Sequence, residues 1–230
     1  GGGGGGGGGG RGAAEDEAQE GEPGAPEPYG IPVLLEVLRF LAALTDPQTN
    51  DEDTRVLGLG LMNIVLEAGG EDLSELPPLV EVMQDDLCKY LLQNMQGTCS
   101  DGTTDELPIL SLTLRVVYNI FSSIKAHLKV QLEVFFTSVH LRIADSTAAS
   151  PEQKELVLES LLDFCFEPSL MVDLYVNYDC DKNCTNLFEN LFKCLCRNAE
   201  PGFGAAGSGS VAEEGVALNS LHLHALEGIM

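Results

Sequence analysis

Ser150-Pro151-Glu152-Gln153-Lys154-Glu155-Leu156-Val157-Leu158-Glu159-Ser160-Leu161-Leu162-Asp163-Phe164-Cys165 is the stretch that decides the fold class. Ser150 followed three residues later by Gln153 fits a capping box, in which two side chains satisfy each other's backbone N–H groups. Pro151 takes the first helical position, where a missing N–H costs nothing. Leu158, Leu161, Leu162 and Cys165 then fall at i, i+3, i+4 and i+7, one face of an α-helix, and Pro168 ends it.

The same grammar extends outward in both directions. A first helix begins after Ile31, with Pro32 in its first turn, and runs to about Thr45 before Pro47. A second spans about Asp53 to Ala68 and is closed by Gly69-Gly70. The third starts at Pro77-Pro78, with Leu79, Met83, Leu87 and Tyr90 on one face and Glu81, Asp85 and Lys89 on another. A polar loop, Gly97–Glu106, precedes a fourth helix from about Pro108 to Ser123. The fifth is expected over Lys125–Ala144, a short seventh over Ser169–Val176 and an eighth over Cys184–Asn198, where Leu187, Phe188, Leu191 and Leu195 share a face. Paired, these helices form units starting near residues 31, 77, 125 and 168, within the period of roughly 40–47 residues of HEAT and armadillo repeats. Each amphipathic pair needs a neighbour to cover its apolar face. The expected architecture is therefore all-α: an armadillo/HEAT-like right-handed stack of about four helix pairs over residues 29–199.

Around that body the composition changes. Residues 1–28 hold 13 Gly, three Pro and six acids against the single Arg11, too little apolar surface to offset the entropy of ordering, so a flexible linker is expected. Residues 200–216 read as a second flexible linker. Residues 217–230 read as the start of another helix. The N-terminus lacks an initiator Met and the apolar core of a signal peptide, which points to a fragment of a longer chain.

Charge narrows the function. The chain carries 12 Lys+Arg against 36 Asp+Glu, a net charge of −24, of which −16 lies within residues 29–200. Such a surface argues against nucleic acid or an anionic membrane as the direct partner, since both need a basic footprint. Lys125 and Lys129 share one helical face near His127, and a solvated face is the plain reading of them. Seven Cys without disulfide spacing read as reduced thiols in a cytosolic protein. The sequon Asn183-Cys184-Thr185 would matter only after secretion.

No catalytic or metal constellation emerges. Cys180, Cys184, Cys194 and Cys196 invite a zinc reading, but Cys194 and Cys196 point about 200° apart on a helix. Cys184 and Cys194 instead read as small buried hydrophobes on the apolar side of the eighth helix. His222 and His224 meet the same geometric objection. Neither a phosphate loop, a GxGxxG after a strand, nor a Ser/His or Cys/His motif is present. No cofactor and no metal is expected.

The most unusual segment is Leu174-Tyr175-Val176-Asn177-Tyr178-Asp179-Cys180-Asp181, which reads as a tight interhelical turn. Structurally, Asn177 and Asp179 would bond nearby amides, Asp181 or Asn183 would cap the eighth helix, and Tyr175 with Tyr178 would pin the turn to the stack. Functionally, Asn177, Tyr178, Asp179, Cys180 and Asp181 would form a docking edge for another domain. Residue chemistry alone favours the structural account.

Asn177-Tyr178-Asp179-Cys180-Asp181 resembles the signature box of the homology-upstream (HUS) domain of large Arf guanine-nucleotide exchange factors. Its surroundings are similar to the Golgi brefeldin-A-resistance branch: Pro28-Tyr29-Gly30-Ile31-Pro32, Leu38-Arg39-Phe40-Leu41, Leu44-Thr45-Asp46-Pro47, His127-Leu128-Lys129, Pro168-Ser169 and Cys184-Thr185-Asn186-Leu187-Phe188-Glu189. The match is colinear over about residues 28–199. It implies an armadillo-like module between an N-terminal dimerisation domain and a catalytic exchange domain, in a cytosolic protein peripherally associated with Golgi and early secretory membranes. The box would border the surface that meets the dimerisation domain, of the same or a second copy. The exchange domain would be a second partner and an Arf GTPase an indirect one. Membrane contact would come only through other parts of the parent. The fragment itself would not be an enzyme: exchange uses a glutamate finger in a domain expected beyond this chain, toward which residues 217–230 would lead. Two rival readings stay open, a free-standing helical-repeat adaptor and a thiol enzyme using Cys180.

Overall fold

The computed structural model describes residues 30–98, 107–199 and 223–230, all of them helix or connecting turn with no strand among them. The linkers expected at 1–28 and 200–216 lie outside the described residues, as does most of the Gly97–Glu106 loop.

Helices α1 (Ile31–Leu44) and α2 (Glu52–Gly69) start as their sequences dictate, with Pro32 in the first turn of α1 and Asp51 capping α2 by accepting the Thr54 N–H at 3.0 Å. Gly70 ends α2 in the left-handed region at φ 48°. Helix α3 comprises Pro77–Val82, a π turn at Met83–Leu87 and Cys88–Thr98. It therefore runs two residues past the expected start of the loop. Helix α4 is Leu107–Ile124.

Helix α5 departs from expectation at its start. Lys125–His127 form a 3-10 turn, and the helix proper is Lys129–Phe135, a π turn at Phe136–His140 and Leu141–Ala144. Leu128, fully buried with φ −118° and ψ 28°, breaks the helical path so that its side chain enters the core. Helix α6 (Pro151–Cys165) carries the anticipated capping box: Ser150 Oγ accepts the Gln153 N–H at 3.2 Å and Gln153 Oε1 accepts the Ser150 N–H at 3.0 Å. Helix α7 is Pro168–Leu174 prolonged by a π turn, Tyr175–Asp179. Helix α8 is Leu187–Ala199, and residues 223–229 form α9.

α1 lies against α2 and α3, α2 along α4, and α4 along α6; the end of α5 meets α6 and α8, and α7 meets both α6 and α8. Each of α1–α8 touches its sequence partner and a helix of a neighbouring pair, an arrangement consistent with a helical-repeat stack. Phe121, Phe135, Phe136 and Phe164 meet edge-on or tilted at the centre, with Tyr118 and His140 around them. Leu107–His127 is long and apolar enough to cross a membrane by length and composition. Its Ile109, Leu110, Val117, Ile120, Phe121 and Ile124 nonetheless sit in the protein core.

Candidate docking site

The box forms the corner where α7 gives way to α8, and the structure sorts its five residues into two groups. Tyr178, Asp179 and Asp181 are committed to internal bonds, whereas Asn177 and Cys180 are exposed. Tyr178 is buried, and its phenol donates to the Lys129 carbonyl at 2.8 Å. Burial, reinforced by the nearby Cys184, Glu133 and Asp173, keeps that phenol protonated well above its usual range. Lys129 Nζ lies 5.7 Å from the Tyr178 ring centroid and donates to Asp181 Oδ2 at 2.8 Å. That bond lowers the Asp181 carboxyl to about 2 and raises the lysine, with the Cys184 thiol beside both.

The expected interhelical turn is thus in large part helix. Asn177, Tyr178 and Asp179 lie in the π turn that ends α7, and only Cys180 and Asp181 follow it. The cap of α8 also differs from expectation. Asp179, rather than Asp181 or Asn183, accepts the N–H groups of Phe188 at 2.9 Å and Glu189 at 3.0 Å. These are orphan donors of the first turn, and the carboxylate suits the positive end of the helix. Asp181 instead accepts the Asn183 N–H at 3.0 Å. Because α8 begins at Leu187, Cys184 is not on its apolar face: Cys184 is half-buried in the preceding loop, and Cys194 alone of the two is buried on α8. Cys196 is exposed, on the other side of that helix.

Sequence reasoning missed the partners of Lys125, in the 3-10 turn before α5, and of Lys129 and Glu133 on α5, which hold the corner. Lys125 and Lys129 do not form a merely solvated face: Lys125 pairs with Asp173 at 2.8 Å and Lys129 with Asp181. Glu133 Oε1 accepts both the N–H and the hydroxyl of Thr185, at 2.8 and 2.6 Å. Lys129 and Glu133 lie four residues apart on one face of α5, and Lys125 sits four residues earlier in the 3-10 turn before Leu128. That spacing was the available signal. What it could not supply was the partner, about fifty residues away.

Outside, the corner is apolar. Tyr175 and Val176 are 52% and 55% exposed, Val172 is exposed one turn earlier, and Tyr175 meets Phe188 edge-on at 5.7 Å. Phe188 in turn packs against Phe192 at 4.7 Å, so three aromatic rings line an open groove beside the corner. Thiol chemistry finds little support in the buried Cys88 and Cys194 or the half-buried Cys165. Burial raises Cys165 to about 11 and Cys88 and Cys194 to about 12, which keeps them protonated at neutral pH. No group of three or more His, Cys, Asp or Glu among the described residues is placed to hold a metal ion.

Comparison with known proteins bears on this corner. Residues 31–187 match the family described as the Mon2/Sec7/BIG1-like HUS domain. The Arabidopsis thaliana ARF guanine-nucleotide exchange factor GNL1 is 34% identical over 226 residues, covering 93% of this chain and 14% of the relative. The Caenorhabditis elegans Golgi-specific brefeldin A-resistance guanine nucleotide exchange factor 1 homolog is 35% identical over 185 residues, covering 77% of this chain and 9% of the relative. Bos taurus brefeldin A-inhibited guanine nucleotide-exchange protein 1 is 29% identical over 185 residues, or 80% of this chain and 10% of the relative. The chain therefore spans 14% or less of the length of these relatives. The family match runs from the first turn of α1 through the corner to the start of α8, and by it this chain belongs to the Mon2/Sec7/BIG1-like HUS domain family.

Proposed function

We propose that this chain is a non-catalytic docking and regulatory module of an Arf guanine-nucleotide exchange factor acting in Golgi trafficking. It receives the parent's N-terminal dimerisation domain on the α7–α8 corner. The observation that carries this reading is the division of labour at the corner, within the box and in the two residues before it. Tyr178, Asp179 and Asp181 lock three helices together, while Tyr175, Val176, Asn177 and Cys180 are held outward on a rigid edge. A fixed, partly apolar edge binds at small entropic cost, because nothing in it has to be ordered on contact. The names of the relatives supply the Arf-exchange and Golgi contexts.

A second apolar face lies at the opposite end of the stack. Ile31, Val33, Leu34, Val37 and Phe40 of α1 and Leu57, Leu61 and Ile64 of α2 are between 37% and 63% exposed. So many exposed apolar side chains on two packed helices make α1–α2 the rival seat for the dimerisation domain. Calorimetric titration of this chain with the separately expressed dimerisation domain decides between them. The pair Val176→Asp and Asn177→Arg changes only exposed side chains and is expected to weaken binding about tenfold or more. Phe40→Asp is expected to leave it close to the wild-type value. Unchanged affinity in the corner variant, or loss in the α1 variant alone, defeats the corner reading.

A further inference from the structure

A cleft of about 320 Å³ is walled by three helices, with Glu67 from α2, Arg115 and Tyr118 from α4, and Glu159, Ser160 and Asp163 from α6. On the α2–α4 side the charges are matched: Glu67 Oε1 accepts from Asn63 Nδ2 and from Arg115 Nη2, each at 2.9 Å. On α6 they are not. Glu159 and Asp163 stand four residues apart on one exposed face, where like charges cost stability. Neither forms a hydrogen bond or an ion pair among the described residues. Burial and the Glu159 charge hold the Asp163 carboxyl above its usual range, against the pull of Arg115. The floor of the cleft is also short of donors. Ser160 is only 7% exposed, and its Oγ lies 3.3 Å from Nε2 of the fully buried His140. His140 Nδ1 lies 3.2 Å from the Phe135 carbonyl. A carbonyl can only accept, so Nδ1 carries the ring proton and Nε2 is bare. Ser160 therefore donates to His140, and its oxygen is left with lone pairs alone at the floor of the cleft. Floor and α6 wall together offer acceptors without donors, beside the Tyr118 ring.

We propose that this cleft takes an arginine side chain from an extended, basic segment of a partner protein: Glu159 and Asp163 hold the guanidinium, Ser160 Oγ accepts one of its N–H groups, and the Tyr118 ring packs against it. Arginine fits better than lysine, because its planar fork of N–H donors meets carboxylates and a hydroxyl at once and stacks on an aromatic ring. The helices set the length of the segment. Neighbouring helices pack about 8–10 Å apart, so three of them span about 20 Å, roughly six residues of extended chain at about 3.3 Å each. A second copy of this chain is the wrong occupant, since each copy carries a net charge of −24 and the two repel. The site lies on α2, α4 and α6 and is independent of the α7–α8 corner and of the Arf-exchange reading.

Titration of this chain with an arginine–glycine repeat peptide, followed by heteronuclear NMR at about 0.15 M salt, tests the proposal. Shifts are expected to concentrate on the amides of residues 115–119 and 159–163. The same peptide with citrulline for arginine keeps the shape without the charge and is expected to bind about tenfold more weakly or worse. Glu159→Gln with Asp163→Asn changes exposed side chains and is expected to weaken the arginine peptide about tenfold or more. Asp85→Asn with Asp86→Asn makes an equal change of charge at exposed positions of α3 and is expected to shift affinity less than about twofold. Ser160→Ala leaves the net charge alone and is expected to weaken binding about threefold. Equal losses in the two double variants would show a general attraction to an acidic surface and overturn the proposal. Full affinity in Ser160→Ala, or a citrulline peptide that binds as tightly, overturns it as well. Magnesium chloride alone saturating the same shifts would make the cleft a metal site, and the shifts appearing on concentrating the chain without peptide would assign it to a second copy; either result overturns the arginine reading.

Discussion

Asp179 closes α7 and opens α8: its carboxylate accepts the Phe188 N–H at 2.9 Å from nine residues upstream, and the Glu189 N–H at 3.0 Å through its other oxygen. One side chain thereby fixes the angle between two helices as well as capping the second. Asp179→Ala should cost about 1–2 kcal/mol, the worth of a capping side chain strengthened by the helix dipole. Asp179→Asn, which keeps an acceptor but loses the charge, should recover part of it. Urea midpoints of the three proteins check the order. A midpoint for the Ala variant equal to the wild type would show that the cap does not hold the corner.

Tyr178 supplies the second bond of the corner, from its phenol to the carbonyl of Lys129 at 2.8 Å. Tyr178→Phe keeps the ring, its burial and its position under Lys129, and leaves that carbonyl short of a partner. The expected loss is about 1 kcal/mol, read as a lower thermal midpoint with unchanged helical circular dichroism. A larger loss accompanied by falling helicity would mean that the ring itself had moved.

The helix starts and the corner were unequally legible. The capping box at Ser150 and the proline-led starts of α1, α3 and α6 are settled within about four residues of chain, and sequence alone placed them. Asp181 or Asn183 read as the cap of α8 because each lies just upstream of the expected start. Asp179 takes that role because the π turn at Tyr175–Asp179 carries α7 three residues past its expected end at Val176. Nothing local in Tyr175-Val176-Asn177-Tyr178-Asp179 announces a π turn; what fixes it is tertiary, the seating of Tyr178 on Lys129. The docking of α9 was hidden for the same reason. It depends on Gly228 meeting Leu162 and Leu195, which no spacing within residues 217–230 encodes.

Glu133 offers a test of the long-range ties that spacing did not reveal. Its Oε1 takes both the N–H and the hydroxyl of Thr185. Glu133→Ala strands two donors at once and should cost about 1–3 kcal/mol. Thr185→Ala, which removes one donor and leaves the backbone N–H bonded, should cost less. The double variant should fall short of the sum, because both changes break the same contact. Strict additivity in denaturant melts would show that the two residues do not act together.

Acid should weaken the fold through His140 and Asp181 in two separate pH windows, the lower of them shared with Asp51, Glu67 and Glu189, whose carboxyls are also lowered. His140 is fully buried, between the Phe135 carbonyl at 3.2 Å and Ser160 Oγ at 3.3 Å and stacked on Phe136. Burial lowers it from 6.5 to about 4. The unfolded chain therefore binds a proton at this position between those values and the folded chain does not, so stability is full above about pH 6.5 and declines toward pH 4. The decline approaches about 3 kcal/mol, because each pH unit crossed between the two values costs about 1.4 kcal/mol. Asp181, lowered from 3.8 to about 2 by its bond to Lys129, acts in a second window: its contribution is present above about pH 4 and fades as pH falls toward 2. Stability measured by urea titration across pH should thus lose most of its slope between 6.5 and 4 in His140→Gln, and part of its lower portion alone in Asp181→Asn. The lower step should also shrink in added salt, because the Lys129–Asp181 pair is open to solvent whereas His140 is not. A His140→Gln protein that retained the full upper slope would assign that titration to another group.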